Sequence, residues 1–321
     1  MTTILPRKSR IPSLAGATEW LNSAPLTPAD LQGRVVLVDF GTYTCINWLR
    51  TLPHVRAWAE RYREDGLVVV GVQTPEFEFE QNLASVRREV EARRIDWPVA
   101  VDNEYEIWRA FSNNYWPALY FVDREGALRH QHFGEGQYEQ SERVIQQLLG
   151  LAPQDLVRVQ GEGDEAEADW AHLNSPETYL GYERTDNFAS PGGIGLAEPR
   201  LFAAPDRLEL NHWALDGDWT MERAHVRLNA AGGRISFRFQ ARDVHLVLRR
   251  AGNGGAIPFR VLLDGTAPGG AHGVDTDADG KGRLEEDRMY QLVRQPGAVA
   301  ERTVEITFLE AGVEAYVFTF G

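Results

Sequence analysis

The stretch RVVLVDFGTYTCINWLRTLPHVRAWAERYREDGLVVVGVQT, residues 34–74, decides how the first half of this chain folds. It opens on an apolar run ending at Phe40, short and rich in valine, which reads as a buried strand. Gly41 marks a turn, and from Asn47 to about Glu64 the apolar residues recur at amphipathic-helix spacing. GLVVVGVQT, residues 66–74, is then a second apolar strand. The order is strand, loop, helix, strand, and a cysteine, Cys45, lies between the first strand and its helix.

Outward from this stretch the alternation continues. A charged helical segment near Glu78 to Arg94 precedes a third strand, WPVAVD at 97–102, and a short helix from Tyr105 to Phe111 follows. Asn113, Asn114 and Tyr115 then lead through Trp116 and Pro117 into the strand ALYFVD, a turn at Arg124 to Gly126, the strand LRHQHF and a last helix from Tyr138 to Leu149. Alternating elements ending in a hairpin imply an α/β sandwich with a mixed sheet. After Gly150 the texture changes. Residues 151–174 carry the acidic run GEGDEAEAD, which is too polar for a core and is expected to be a solvated linker. From Ser175 on, short segments such as RISFRFQ, VHLVL, PFRVLLDG, RTVEITFLE and AYVFTFG alternate between Gly- and Asp-rich turns, as in an all-β sandwich. The expected organisation is an N-terminal extension at 1–25, an α/β domain at 26–150, an acidic linker at 151–174 and a β domain at 175–321.

Composition narrows the function classes. With 321 residues, 43% of them hydrophobic and 25% charged, the chain has the make-up of a globular protein of two domains. A formal net charge of −14 argues against a phosphate-backbone binder, so nucleic acid is not an expected partner. No run approaches the roughly 18 apolar residues of a membrane span, and none of signal-peptide length follows the basic residues near the start, so a cytoplasmic location is expected. One cysteine makes no intramolecular disulfide; a reducing compartment suits it, and a reactive thiol or an intermolecular bridge remains open.

The chemistry centres on Cys45. Between a strand and a helix, its sulfur is expected to face the first-turn amides and the positive end of the helix dipole, which favours thiolate. A free cysteine titrates near pKa 8.5 and falls to roughly 3.5 to 7.5 in such settings, and the thiolate is the attacking form.

The run DFGTYTCINWLRTLPHVRAWAERYREDGLVVVGVQTPEFEFE, with VDNEYEIWRAFSNNYWPALYFVDREG and HQHFGEGQYEQSE, resembles the soluble thioredoxin-like part of DipZ/TlpA-type proteins. The resemblance implies a thioredoxin fold in the first half. It also implies a Cys-Ile-Asn-Cys motif, which here reads Cys45, Ile46, Asn47 and then Trp48 where a second, resolving cysteine would stand. Gly41 stands where that family carries a tryptophan. A two-cysteine enzyme attacks with its first thiolate and releases product when the second resolves the mixed disulfide. With Trp48 in place, resolution falls to an external thiol, and Trp48→Cys is expected to raise turnover. The resemblance further assigns Pro117 the cis-proline role beside the cysteine, with Trp116, Trp48 and Glu76 bordering the substrate groove. Glu78 and Glu80 are expected to be a solvated helix start. Thr42 precedes Cys45 by three residues, the spacing of the Thr-x-x-Cys element of peroxiredoxins, although the proline that opens that motif is absent. Three readings therefore stand. Cys45, supported by Thr42 and Pro117, is a monothiol disulfide oxidoreductase acting on thiol or disulfide proteins or small thiols; or it is a one-cysteine peroxidase; or the domain is a redox-inactive scaffold. The redox site itself calls for no cofactor.

The second half resembles the β-sandwich that follows in DipZ-type proteins, jelly-roll-like and similar to a carbohydrate-binding module. Trp213 and Trp219 are its candidate sugar platforms, although aromatic residues on strands commonly belong to cores. His130 and His132 alternate on one strand without a third ligand at a telling spacing. DTDADGKGRLEE supplies Asp275, Asp277, Asp279, Gly280 and Glu286, matching a calcium-loop pattern, with an Asp-Gly hairpin turn as the alternative.

Overall fold

The computed structural model describes residues 10–252 and 254–321; the first nine residues of the expected extension lie outside that range. The chain divides into two compact units, one ending at Ala166 and the other running from Glu167 to Gly321.

In the first unit, β1 (Glu19–Leu21), β2 (Val35–Gly41), β3 (Leu67–Gln73), β4 (Val99–Val101), β5 (Ala118–Val122) and β6 (Leu128–Phe133) form a six-stranded sheet ordered β1-β4-β3-β2-β5-β6. β2, β3 and β4 are parallel, and β1, β5 and β6 run against their neighbours. The helices are α1 (Ile46–Tyr62), α2 (Leu83–Ala92), α3 (Glu106–Ala110) and α4 (Tyr138–Leu149). Every residue of β2 is buried, as expected of a central parallel strand covered on both faces. Side chains alternate along it, so Val36, Val38 and Phe40 join a core with Val70, Val72, Ile107 and Tyr120, while Asp39 points to the opposite face. This is the thioredoxin fold.

Three readings need correction. The N-terminal extension enters the sheet: β1 pairs with β4, and Leu14 and Trp20 are buried. The segment near Glu78 to Arg94 is two helices, a 3-10 turn at Glu78–Gln81 and then α2, because Asn82 caps α2 by accepting from Ala84 N at 3.0 Å and Ser85 N at 3.2 Å. The acidic linker is bound up to Ala166. Glu142 accepts from Val157 N at 3.0 Å, Arg93 forms a two-pronged pair with Asp164 at 2.7 and 2.8 Å, and Arg56 reaches Glu165 at 3.1 Å.

The second unit is all β: β7 (Thr178–Tyr179), β8 (Pro199–Phe202), β9 (Trp213–Met221), β10 (Val226–Leu228), β11 (Arg234–Gln240), β12 (Asp243–Arg250), β13 (Ile257–Leu263), β14 (Lys281–Leu284), β15 (Arg288–Arg294), β16 (Glu301–Phe308) and β17 (Val313–Phe320). The order β14-β13-β16-β11-β9-β10-β17-β12-β15 is one curled antiparallel sheet, with β7 added to β17 and β8 to β9. β9 turns the corner. Its first half pairs with β11 and its second with β10, and Gly217 between them has φ +102°. A Cβ there would come within 3.0 Å of Gly233 Cα, so both the dihedral and the space call for glycine. The curled sheet closes on a core that includes Trp213, Trp219, Phe237, Phe259, Phe308 and Phe318.

Candidate active site

β2 ends at Gly41, residues Thr42–Thr44 turn the chain, and α1 begins at Ile46 with Cys45 as its N-cap in extended conformation. The Cys45 amide donates to Thr42 O at 3.1 Å, closing the turn, and Cys45 O accepts from Leu49 N at 3.0 Å as the helix starts. The cysteine is partly buried. Its Sγ lies 3.9 Å from the carbonyl oxygen of Trp116, and the Trp116-Pro117 bond is cis. Trp116 is fixed from behind: its Nε1 donates to Thr74 O at 3.1 Å, and its ring lies 4.3 Å from that of Trp108. Beside it, Tyr115 is 55% exposed and its ring lies 5.1 Å from that of the partly exposed Phe133. Cys45 and the cis Trp116-Pro117 bond thus lie together in the structure.

Trp48 lines, with Asp39 and Gly41, only a small cavity of about 20 Å³. It is buried, one turn into α1, and its Nε1 donates to Asp39 Oδ2 at 3.2 Å. A Cβ built on Gly41 would fall 2.1 Å from that same Nε1 and 2.3 Å from two indole carbons. The indole thus fills the side-chain space of position 41, so the residues at 41 and 48 are sterically coupled. Asp39 is a further residue of the site, a carboxylate set within the buried strand β2. Burial pushes its carboxyl up to about 7, opposed by the Trp48 bond, and its Oδ1 has no hydrogen-bond partner among the described residues. A carboxylate in the middle of VVLVDF was the available signal.

The turn before Cys45 is held by Glu80. Thr42 Oγ1 donates to Glu80 Oε1 at 2.5 Å and Thr44 Oγ1 donates to the same oxygen at 2.7 Å. Glu80 Oε2 accepts from the amides of Glu76 at 2.6 Å and Phe77 at 2.8 Å. Glu80 is wholly buried, which corrects its reading as a solvated helix start; Glu78 is exposed and Glu76 half-buried. Burial pushes Glu80 up to about 7, against the hydrogen bonds that favour its charge. Thr42 also accepts from Gln73 Nε2 at 3.0 Å. Its single hydroxyl proton is committed to Glu80, so Thr42 shapes the turn and offers no donor to a peroxide at Cys45.

The other candidates do not assemble. Trp213 and Trp219 have no exposed surface; their indole N–H groups donate to backbone carbonyls of Asp186 and Asp216 inside the second unit. They make no sugar platform. Asp275 pairs with Arg288 at 2.7 Å and accepts from Gln291 N, Asp277 accepts from the amides of Asp279 and Lys281, Asp279 pairs with Lys281 at 2.8 Å, and Glu286 lies 3.9 Å from Arg288. Asp277 and Asp279 thus belong to a tight turn before Lys281, while Asp275 and Glu286 share Arg288. Among the described residues, no group of three or more His, Cys, Asp or Glu is placed to hold a metal ion, and no helix is long and apolar enough to cross a membrane. His130 packs against Phe121 at 5.3 Å, and burial lowers the pKa of both His130 and His132.

Comparison with known proteins gives the same division. Residues 11–131 match the AhpC/TSA family, and residues 175–321 match a family described as thioredoxin like C-terminal domain. Protein DipZ of Mycobacterium bovis is 36% identical over 258 residues, 79% of this chain and 36% of that protein, so the chain spans little more than a third of this relative's length. Thiol-disulfide oxidoreductase YkuV of Bacillus subtilis is 27% identical over 139 residues, 43% of this chain and 93% of that one. With each half matched in turn, and Cys45 set at a helix start against a cis-proline, the first unit is thioredoxin-like and the chain is similar to DipZ over most of its own length.

Proposed function

We propose that the chain is a monothiol disulfide oxidoreductase. The Cys45 thiolate attacks one sulfur of a substrate disulfide; the Cys45–substrate S–S bond forms as the substrate's own S–S bond breaks, and the departing sulfur leaves as a thiolate. An external thiolate then attacks the substrate sulfur of that mixed disulfide, which regenerates the Cys45 thiolate and leaves the substrate joined to the external thiol. Substrate in this reading is a polypeptide or small disulfide lying along Trp116 and Pro117. The observation that carries it is the indole of Trp48, buried on Asp39 at the place of the resolving thiol, beside a Cys45 that keeps its helix start and its cis-proline. The peroxidase alternative has less support, because Thr42 directs its proton to Glu80.

Turnover of a peptide disulfide by the full chain tests this. With glutathione as the external thiol, the rate should rise with glutathione concentration and vanish in Cys45→Ser. A rate independent of glutathione, or one retained by Cys45→Ser, refutes the monothiol cycle. Consumption of hydroperoxide in place of the disulfide would favour the peroxidase.

A further inference from the structure

The carboxylate of Glu80 has four partners and no exposed surface, and no cation is among them. Burying a carboxylate without a cation costs stability that an apolar side chain of similar volume avoids. What the carboxylate gains is a junction. Oε1 holds Thr42 and Thr44, the turn that delivers Cys45, and Oε2 holds the amides of Glu76 and Phe77, in the loop after β3. That loop carries the contacts that seat the other side of the site: Thr74 O accepts from Trp116 Nε1 at 3.1 Å, and Thr74 N donates to Gly41 O at 3.1 Å. Pro75 O accepts from the Tyr105 hydroxyl. The Cys45 turn and the loop that seats Trp116 are thus joined by one buried side chain, beside the backbone bond from Thr74 N to Gly41 O.

We propose that Glu80 is a positioning residue for disulfide exchange, holding the Cys45 turn in register with the Trp116-Pro117 loop so that an extended polypeptide disulfide meets the sulfur in line. The proposal rests on the exchange reading above. In-line attack tolerates little misplacement, and a shift of about 1 Å can cost on the order of a hundredfold in rate. A small alkylating agent needs no such register.

The test compares the full wild-type chain with Glu80→Met, Glu80→Gln and the double variant Thr42→Val with Thr44→Val, at a temperature where circular dichroism shows each folded. Two rates are measured at Cys45, one with a peptide disulfide and one with iodoacetamide. Glu80→Met should lose about tenfold or more on the disulfide and far less on iodoacetamide. Glu80→Gln keeps an acceptor for one side of the junction only and should fall between Glu80→Met and wild type. A folded Glu80→Met with the wild-type disulfide rate overturns the proposal; if the Glu80 variants do not fold, a wild-type rate in the double threonine variant overturns it equally. If wild-type Cys45 takes iodoacetamide but ignores the disulfide, the exchange reading fails. Glu80 is then judged by the Trp116 indole N–H resonance, which should move in the folded variants and whose constancy refutes the positioning role.

Discussion

A Cβ at position 41 would lie inside the indole of Trp48, and the indole N–H is the donor to a buried carboxyl, so neither residue changes alone without cost. Trp48→Cys restores the family's second thiol but empties the space of an indole and strips Asp39 of its Trp48 donor. Trp-to-small substitutions of this kind cost about 3 to 5 kcal/mol. The expected result in an insulin-reduction assay is therefore little gain for Trp48→Cys, with a lowered melting temperature. Gly41→Trp combined with Trp48→Cys should recover both turnover and much of the lost stability. Equal turnover for the single and double variants would show that the two positions are independent. At this scale the family resemblance marks Cys45, Trp48 and Pro117, but it sets Trp48 on the substrate groove, whereas the indole is buried against Asp39. Asp39 and Glu80 were not legible, since a buried carboxyl looks in sequence like a charged one until its surroundings are known. In TPEFEFE, Glu78 and Glu80 are two residues apart, and one is exposed while the other is wholly buried.

Among the elements, those with enough length to show a period were legible: β2, β3, α1, α4 and most of β11 to β17. β1, β7, β8 and β10 have two to four residues each and display no period. β9 escaped for another reason, because Gly217 bends it in mid-strand and its two halves pair with different neighbours. The stretch after α4 shows how charge patterning misleads. Its acids read as solvated, yet Asp164 and Glu165 have arginine partners on the segments around α1 and α2, all of them less than a quarter exposed. Arg93→Ala removes the two-pronged pair with Asp164. Cleavage by a glutamate-specific protease within residues 151–166 should then quicken severalfold, while the melting temperature of the first unit falls only slightly, because a single partly exposed pair contributes about 1 kcal/mol or less. Unchanged cleavage would mean that the Arg56–Glu165 pair and the Val157–Glu142 bonds hold the arm without Arg93.

For the whole molecule, the two units differ in what their polar residues do. In the second, the acids of the Asp275–Glu286 segment and the indoles of Trp213 and Trp219 have partners within that unit. In the first, Cys45 stands at a helix start, partly exposed and facing the carbonyl of a cis-prolyl bond. Strand alternation and turn spacing made both architectures readable; which carboxylates and tryptophans turn inward depended on pairings between residues far apart in sequence. The most direct test of single-thiol exchange is the intact mass of the full chain after reaction with a peptide disulfide in the absence of any other thiol. The account predicts one peptide joined to Cys45 per chain, stable until glutathione is added, then released with recovery of the starting mass. No adduct on a Cys45 that iodoacetamide still alkylates, or an adduct that clears without added thiol, would contradict it.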